Sequence, residues 1–331
     1  MKNSYFKGHG LGNEYIVLDP GDLTFRLTPD RIARICDREK GLGSDGVLTV
    51  EESDSADFGL RIWNPDGSEA ETSGNGLRIF ACYLHATGRT RKKLFTVETP
   101  AGTVRVETRH DQRGTADQAG KVRVETQHDQ HDAIGQAGTV TGATVHMGRA
   151  TFSPGALPCT LDVVGLIEQP IIVSGETLTF TGVSVGNPHC VVFHARDQLW
   201  NSDNSDRQCE DQRWTRDDLL RLGPVLETHP FFPNRANVQL AETIGLYSIR
   251  ILIWERGVGE TPSSGSSACA AASAAVRLGL VTSPVTVESP GGELLVDMDE
   301  GFNLTLTGPV AEMARGTFDE AMLQRILDPS Q

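Results

Sequence analysis

The sequence predicts an α/β protein of the α+β kind, with two pseudo-symmetric lobes, each a curved, mostly antiparallel sheet or barrel around a central helix. Three observations predict it. "RIWNPDGSEAETSGNGLRIF" from Arg61 and "ILIWERGVGETPSSGSSACA" from Ile251 are built alike: each strand-like run ends in Trp, and ten residues on a serine precedes a glycine, at Ser73 and at Ser264. Short β-branched or alternating segments bounded by Gly, Pro, Asp or Asn outnumber helical patterns. The segment after Ser264 is almost wholly Ala, Ser, Cys and Val on every helical face, a composition suited to burial inside a curved sheet.

In chain order, "FGLRIW" (58–63) reads as a strand. The helix behind Ser73 follows from Leu77, Phe80, Ala81 and Leu84 at i, i+3, i+4 and i+7, and it stops near Gly88. "VRVET" is a strand inside a tandem repeat, since "AGTVRVETRHDQ" at 101–112 recurs as "AGKVRVETQHDQ" at 119–130, a period of 18 residues. Its Gly- and Gln-rich filler reads as a hairpin or surface loop, and His110, His128 and His131 as part of a solvated linker rather than a metal tract. "TLTFTGVSV", "HCVVF" and "YSIRILIW" are the strands that follow. The second helix places Ala268, Ala271, Ala272 and Ala275 at the same spacing behind Ser264, ends at Gly279, and is followed by the strand "FNLTLTG". The lobes are expected at residues 1–138 and 139–308, with 309–331 returning to the first.

A chain of 331 residues with 38% hydrophobic content is long enough for two globular units. The formal charge of −14, from 44 acidic against 30 basic residues, argues against nucleic-acid and anionic-membrane partners, which call for basic patches. No apolar run approaches the roughly 18 residues of a membrane span, and "MKNSYFKGHGLGNEY" has no signal-peptide core, so a cytoplasmic location is expected. Six scattered cysteines without a CxxC pair fit buried thiols better than a disulfide framework or a zinc site. The expected partner is a small molecule, and a homodimer is left open.

Serine before a helix is most often an N-cap. Here, however, "GNG" and "GSS" follow the serines, and Gly- and Ser-rich helix starts leave N–H groups free to hold an anion at the positive end of the helix dipole. Two such mouths converging on one ligand could hold a carboxylate and stabilise charge developing beside it. With a hydroxyl on each side of the intervening carbon, the geometry suits removing a proton from one face and returning one to the other.

The segments "GHGLGNEYIVLD" (8–19), "GLGSDGVL" (41–48), "NPDGSEAETSGNGLR" (64–78), "GNPHCVVF" (186–193), "RANVQL" (235–240) and "WERGVGETPSSGSSACAA" (254–271) together resemble, in order, the motifs of the diaminopimelate epimerases. The resemblance implies a cofactor-independent two-base isomerase. It implies substrate contacts from Asn13, Asn64, Asn187, Asn237, Glu255 and Arg256, and a reacting carboxylate held by the Gly74–Asn75 and Gly265–Ser266 amides. It puts His189 and Glu255 beside the acid–base pair. Read by themselves, the four asparagines also suit turns, His189 suits a core histidine, and Arg256 suits either a surface cation or a bidentate carboxylate ligand.

The departure lies at the chemistry. The family pattern has cysteine at positions 73 and 264, and the cysteine that often follows its first Arg is Ile79 here. Three readings stand: deliberate replacement of both thiols, a natural serine enzyme assisted by another base, or a fold turned to different chemistry. By sequence the helper bases are Glu71, Glu260 and His189. The rival functions are a relative with changed isomerase or dehydratase chemistry and a non-catalytic amino-acid-binding protein. A serine hydrolase is excluded, because "GETPSSGSS" contains no GxSxG elbow.

Overall fold

A computed structural model describes residues 2–111, 139–194 and 213–328. The first half runs β1 (Ser4–Gly10), β2 (Asn13–Leu18), α1 (Pro29–Cys36), β3 (Val47–Glu51), β4 (Phe58–Trp63), β5 (Glu69–Ala70), α2 (Gly74–Ala86), β6 (Leu94–Thr99), β7 (Gly102–His110) and β8 (Val140–Arg149). The second runs β9 (Gln169–Val173), β10 (Glu176–Ser184), β11 (Pro188–Phe193), α3 (Arg216–Glu227), β12 (Asn237–Gly245), β13 (Ser248–Glu255), β14 (Gly259–Thr261), α4 (Gly265–Arg277), β15 (Val285–Ser289), β16 (Gly292–Met298) and β17 (Asn303–Pro309). β18 (Ala311–Thr317) and α5 (Glu320–Leu327) close the described chain.

The pairing repeats step for step. In the first half β1–β2, β3–β4, β4–β5, β6–β7 and β7–β8 are antiparallel, and β2–β3 and β4–β6 are parallel. In the second half β10–β11, β12–β13, β13–β14, β15–β16 and β16–β17 are antiparallel, and β11–β12 and β13–β15 are parallel. The parallel step β4–β6 needs a crossover, and α2 supplies it; α4 does the same for β13–β15. β8 and β17 pair with each other along Thr144↔Thr307 and join the two halves, while β18 pairs back onto β1 along Ser4↔Thr317. The architecture is therefore the two-lobed, mostly antiparallel sheet around two helices that the sequence predicts.

Both crossover helices are enclosed. α4 touches β10, β11, β12, β13, β15, β16 and β17, and its residues Ser267 to Ala275 are all buried. Side chains this small are what let strands approach on every side. α2 is buried from Gly74 to Leu84 against β1, β2, β7, β8 and β18. Both helices contribute to one continuous apolar core. They also stop in the same way, with Gly88 and Gly279 at φ +72° each. Arg89 N–H donates to Leu84 O and Leu280 N–H to Ala275 O, satisfying carbonyls that the last turn leaves open.

Among the described residues no helix is long and apolar enough to cross a membrane. Cys36, Cys82, Cys159, Cys190 and Cys269 are free thiols, and Cys209 lies outside the described residues, as do His128 and His131.

Candidate active site

Ser73 and Ser264 are the N-caps of α2 and α4, both with extended backbone (φ −148° and −145°). The two helices meet at their N-termini. A Cβ built on Gly265 would stand 3.3 Å from Gly74 Cα and 2.7 Å from Leu306 Cδ2; one on Gly74 would stand 2.8 Å from the same methyl. The backbones of the two helix starts thus approach closely, and the serines on their N-terminal sides flank one point between the lobes. The first-turn amides of Gly74, Asn75, Gly265 and Ser266 have no partner within their helices, and both positive dipole ends point at that place.

The two mouths are not equivalent. Ser73 Oγ accepts from Gly76 N–H at 3.0 Å. Ser264 makes no cap bond, and its hydroxyl lies 3.4 Å from Ser266 Oγ. Tyr15 is buried on β2, and burial drives its phenol upward, with Glu255 and Asp45 adding to the effect.

A polar chain runs beneath the α2 mouth. Asn75 Oδ1 accepts from Arg78 Nη2 (2.5 Å), while its Nδ2 donates to Asn13 Oδ1 (3.1 Å) and, at the start of α4, to Ser263 O (3.4 Å). Asn13 Nδ2 donates in turn to Asp45 Oδ2 (3.2 Å), which also accepts from Glu14 N–H (2.8 Å), and Arg38 holds Asp45 Oδ1 at 2.6 Å. Arg78 is fully buried, and desolvation brings its guanidinium down to about 10, so it remains a cation at neutral pH behind the α2 mouth.

In the second half, Glu255 ends β13 and its carboxyl is pushed up to about 7, chiefly by burial and then by Asp45. Glu227 brackets the Glu255–Arg256 pair: Oε2 accepts from Trp254 Nε1 (2.7 Å) and Oε1 from Gly257 N–H (2.9 Å). Asn237 Oδ1 accepts from Arg256 N–H (3.0 Å), and its Nδ2 donates to Pro188 O (3.0 Å). The Arg256 guanidinium is exposed, and among the described contacts it makes only a 3.4 Å bond to Asn234 O. His189 is fully buried, and desolvation pulls its imidazole down to about 3. Gln239 Nε2 donates to His189 Nδ1 (3.1 Å) and to Ser267 Oγ (3.0 Å) of α4, which leaves the His189 proton on Nε2, facing Asn187 Oδ1 at 2.8 Å.

The fold thus brings Ser73, Gly74, Asn75, Asn13, Ser264 and Gly265 together, and hydrogen bonds link Asn187 through His189 and Gln239 to α4. Asn64 stays local, with Nδ2 on Ser68 Oγ (2.9 Å). Of the helper bases expected from sequence, Glu260 is held by Arg216 through bonds of 2.7–3.0 Å, and Glu71 is exposed. Tyr15, Asp45, Arg78, Glu227 and Gln239 were not singled out from sequence. The signal for four of them was present, since Tyr15, Asp45, Arg78 and Gln239 sit inside the quoted motifs.

Comparison with known proteins follows the same geometry. A hydroxyproline epimerase from Agrobacterium vitis with bound trans-4-hydroxy-L-proline superposes with a TM-score of 0.61 over 96% of this chain and 93% of its own, at 14% identity, and so shares the fold. "Diaminopimelate epimerase 2" of Nostoc sp. is 38% identical over 313 residues, 94% of each protein. "Diaminopimelate epimerase" of Moorella thermoacetica is 35% identical over 321 residues, 95% of this chain and 98% of that one. The sequence profile described as "Diaminopimelate epimerase" matches residues 5–125 and 181–312, which takes in both helix mouths and the strands leading into them. With both mouths inside the match and the curated relatives aligned nearly end to end, this chain belongs to the diaminopimelate epimerase family.

Proposed function

We propose that the protein is a cofactor-independent amino-acid epimerase that converts LL-diaminopimelate to the meso form by two-base proton transfer. One observation carries the reading: α2 and α4 meet at Gly74 and Gly265 with a serine hydroxyl at each mouth. The reacting carboxylate is held by the Gly74–Asn75 and Gly265–Ser266 amides. As the α-proton leaves, charge spreads onto that carboxylate, and each well-aimed donor is worth about 10²–10³ in rate. Ser73 faces one side of the α-carbon and Ser264 the other. Glu255 accepts protons at neutral pH. Asn13, Asn64 and Asn187 offer neutral amides to the zwitterion, and Asn237 acts by fixing the Arg256 backbone. His189, neutral in the working range, orients Asn187. The halves are assigned as 1–138 with 309–331, and 139–308. The acidic charge and the free thiols support a cytoplasmic enzyme whose partner is a small molecule.

Incubation with LL- or meso-diaminopimelate in D2O tests the proposal. Inversion with one deuteron gained at the α-carbon is expected, and binding without exchange would sink it. The two serines favour a second reading, a family member with changed isomerase or dehydratase chemistry, and its sign is product formed without inversion.

The Arg256 guanidinium, exposed and free of carboxylate partners among the described residues, is assigned to the distal carboxylate. Charge-assisted bonds contribute about 1.5–3 kcal/mol, so Arg256→Ala is expected to weaken diaminopimelate binding roughly 10- to 150-fold. An amino acid lacking the second carboxylate should be affected far less. Calorimetry giving equal losses for both ligands refutes the assignment.

A further inference from the structure

Arg78 is a buried cation without a counter-ion. It lies just over one turn into α2, is 0% exposed, and pairs with no carboxylate among the described residues. Nη2 donates to Asn75 Oδ1 (2.5 Å) and Nε to Pro309 O (3.3 Å), while Nη1 has no partner. The ionisable group acting on it is Cys269 of α4, and burial pushes that thiol up to about 12, so it stays neutral. Bare backbone makes room for the guanidinium: a Cβ on Gly10 would stand 2.9 Å from Nη2, and one on Gly308 would stand 3.1 Å from Cζ. A desolvated charge with no partner works against folding, and a carboxylate held at the helix mouths is the anion that would offset it.

The same residue fixes the direction of the amides beside it. A guanidinium only donates, so the Asn75 oxygen must face it and the Asn75 amide donates onward to Asn13 Oδ1 (3.1 Å). Asn13 then donates to Asp45 Oδ2 (3.2 Å), a carboxylate that only accepts. With its other N–H, Asn75 reaches the carbonyl of Ser263 (3.4 Å), the residue before Ser264. One side chain thus ties the α2 mouth to the α4 mouth, and a charge at each end of the amide chain sets which way it points. We propose that Arg78 is a positioning residue: it aligns Asn75 across the two mouths and supplies the uncompensated positive charge that favours an anion at the α2 mouth. What that anion does rests on the epimerase reading above. As the α-proton leaves, the substrate carboxylate gains negative charge, and Arg78 acts on it from behind the Gly74 and Asn75 amides.

The charge is tested first without substrate. In a Ser73→Cys background, the pH dependence of iodoacetamide alkylation at position 73, read by peptide mass spectrometry, gives the midpoint of the introduced thiol. Position 73 is five residues from Arg78, about 7.5 Å of helix rise, through a poorly screened interior. Arg78→Met replaces the cation by an apolar chain and is expected to raise the midpoint by about one pH unit. In the native serine chain the same change is expected to weaken diaminopimelate binding about 10-fold by calorimetry. An arginine that only packs would change the melting temperature and leave the midpoint in place, and that result overturns the proposal. Gly10→Ala keeps the charge but presses on Nη2, and is expected to weaken binding several-fold with the midpoint unmoved. If Arg78→Met does not fold, Gly10→Ala carries the test, and undiminished affinity there overturns the proposal. A chain that binds no diaminopimelate while the midpoint still moves is a different result: Arg78 keeps its role at the mouth, and the epimerase reading itself is removed.

Discussion

Replacing both helix-mouth serines by cysteine is expected to raise α-proton exchange on diaminopimelate by about 10²–10⁴-fold, the range that a competent acid–base group contributes. A thiol titrates near roughly pH 8.5, and a helix N-terminus lowers it further, so a thiolate is available at neutral pH where a serine alkoxide is not. The surroundings that activate a thiolate are present at both positions, which begin enclosed helices whose first-turn amides face the cleft. At position 264 the exchange of oxygen for sulfur removes no cap bond. At position 73 it weakens the bond to Gly76 N–H, a loss of about 1 kcal/mol. Either single variant should gain much less, since inversion needs a competent group on each face. Mass spectrometry of diaminopimelate recovered from D2O reads the result. A double variant that binds but does not exchange hands the lead to changed chemistry.

The features legible in the sequence were those written locally. The Trp-to-Ser spacing, the glycines at 88 and 279 and the all-small composition behind Ser264 each reflect neighbours along the chain, and they mark both crossover helices and their ends. α1, α3 and α5 were not anticipated, although their start signals are there. Thr28 precedes Pro29, Thr215 forms a capping box with Asp218, and Asp319 caps at Met322 N–H. Their apolar faces are short and broken by charge, so periodicity alone passed over them. The helper base is a different matter. Glu71, Glu260 and His189 are the candidates by sequence, and closeness along the chain does not reveal that β14 pairs Glu260 with Trp254 or that its side chain meets Arg216 of α3. Tyr15 enters the core beside α2 only because β2 packs against that helix, a tertiary fact with no local trace. Glu227 is similar: it belongs to α3, yet it fixes the turn after β13.

Glu255→Gln is expected to lower exchange in the native serine form by about 10²–10⁴-fold and to abolish the rise of rate with pH through about 7. Glu255 works as a proton acceptor only when ionised. Burial first, and Asp45 second, hold its proton on until about pH 7, so the rate should climb across that point and level off above it. Asp45→Asn removes the lesser of the two causes and should move the limb toward lower pH without erasing it. The same shift has a sign for stability. A carboxyl raised in the folded state favours folding below its ordinary range, and that contribution is lost as pH rises through the folded value. The native chain should therefore lose melting temperature between about pH 4.5 and pH 7, and Glu255→Gln should lose less across that window. The two readouts are independent, because melting requires no substrate and exchange requires no denaturation. If the melting difference is found while the pH limb of exchange persists in Glu255→Gln, Glu255 is a buried carboxyl outside the proton path. The limb must then be sought in the substrate itself.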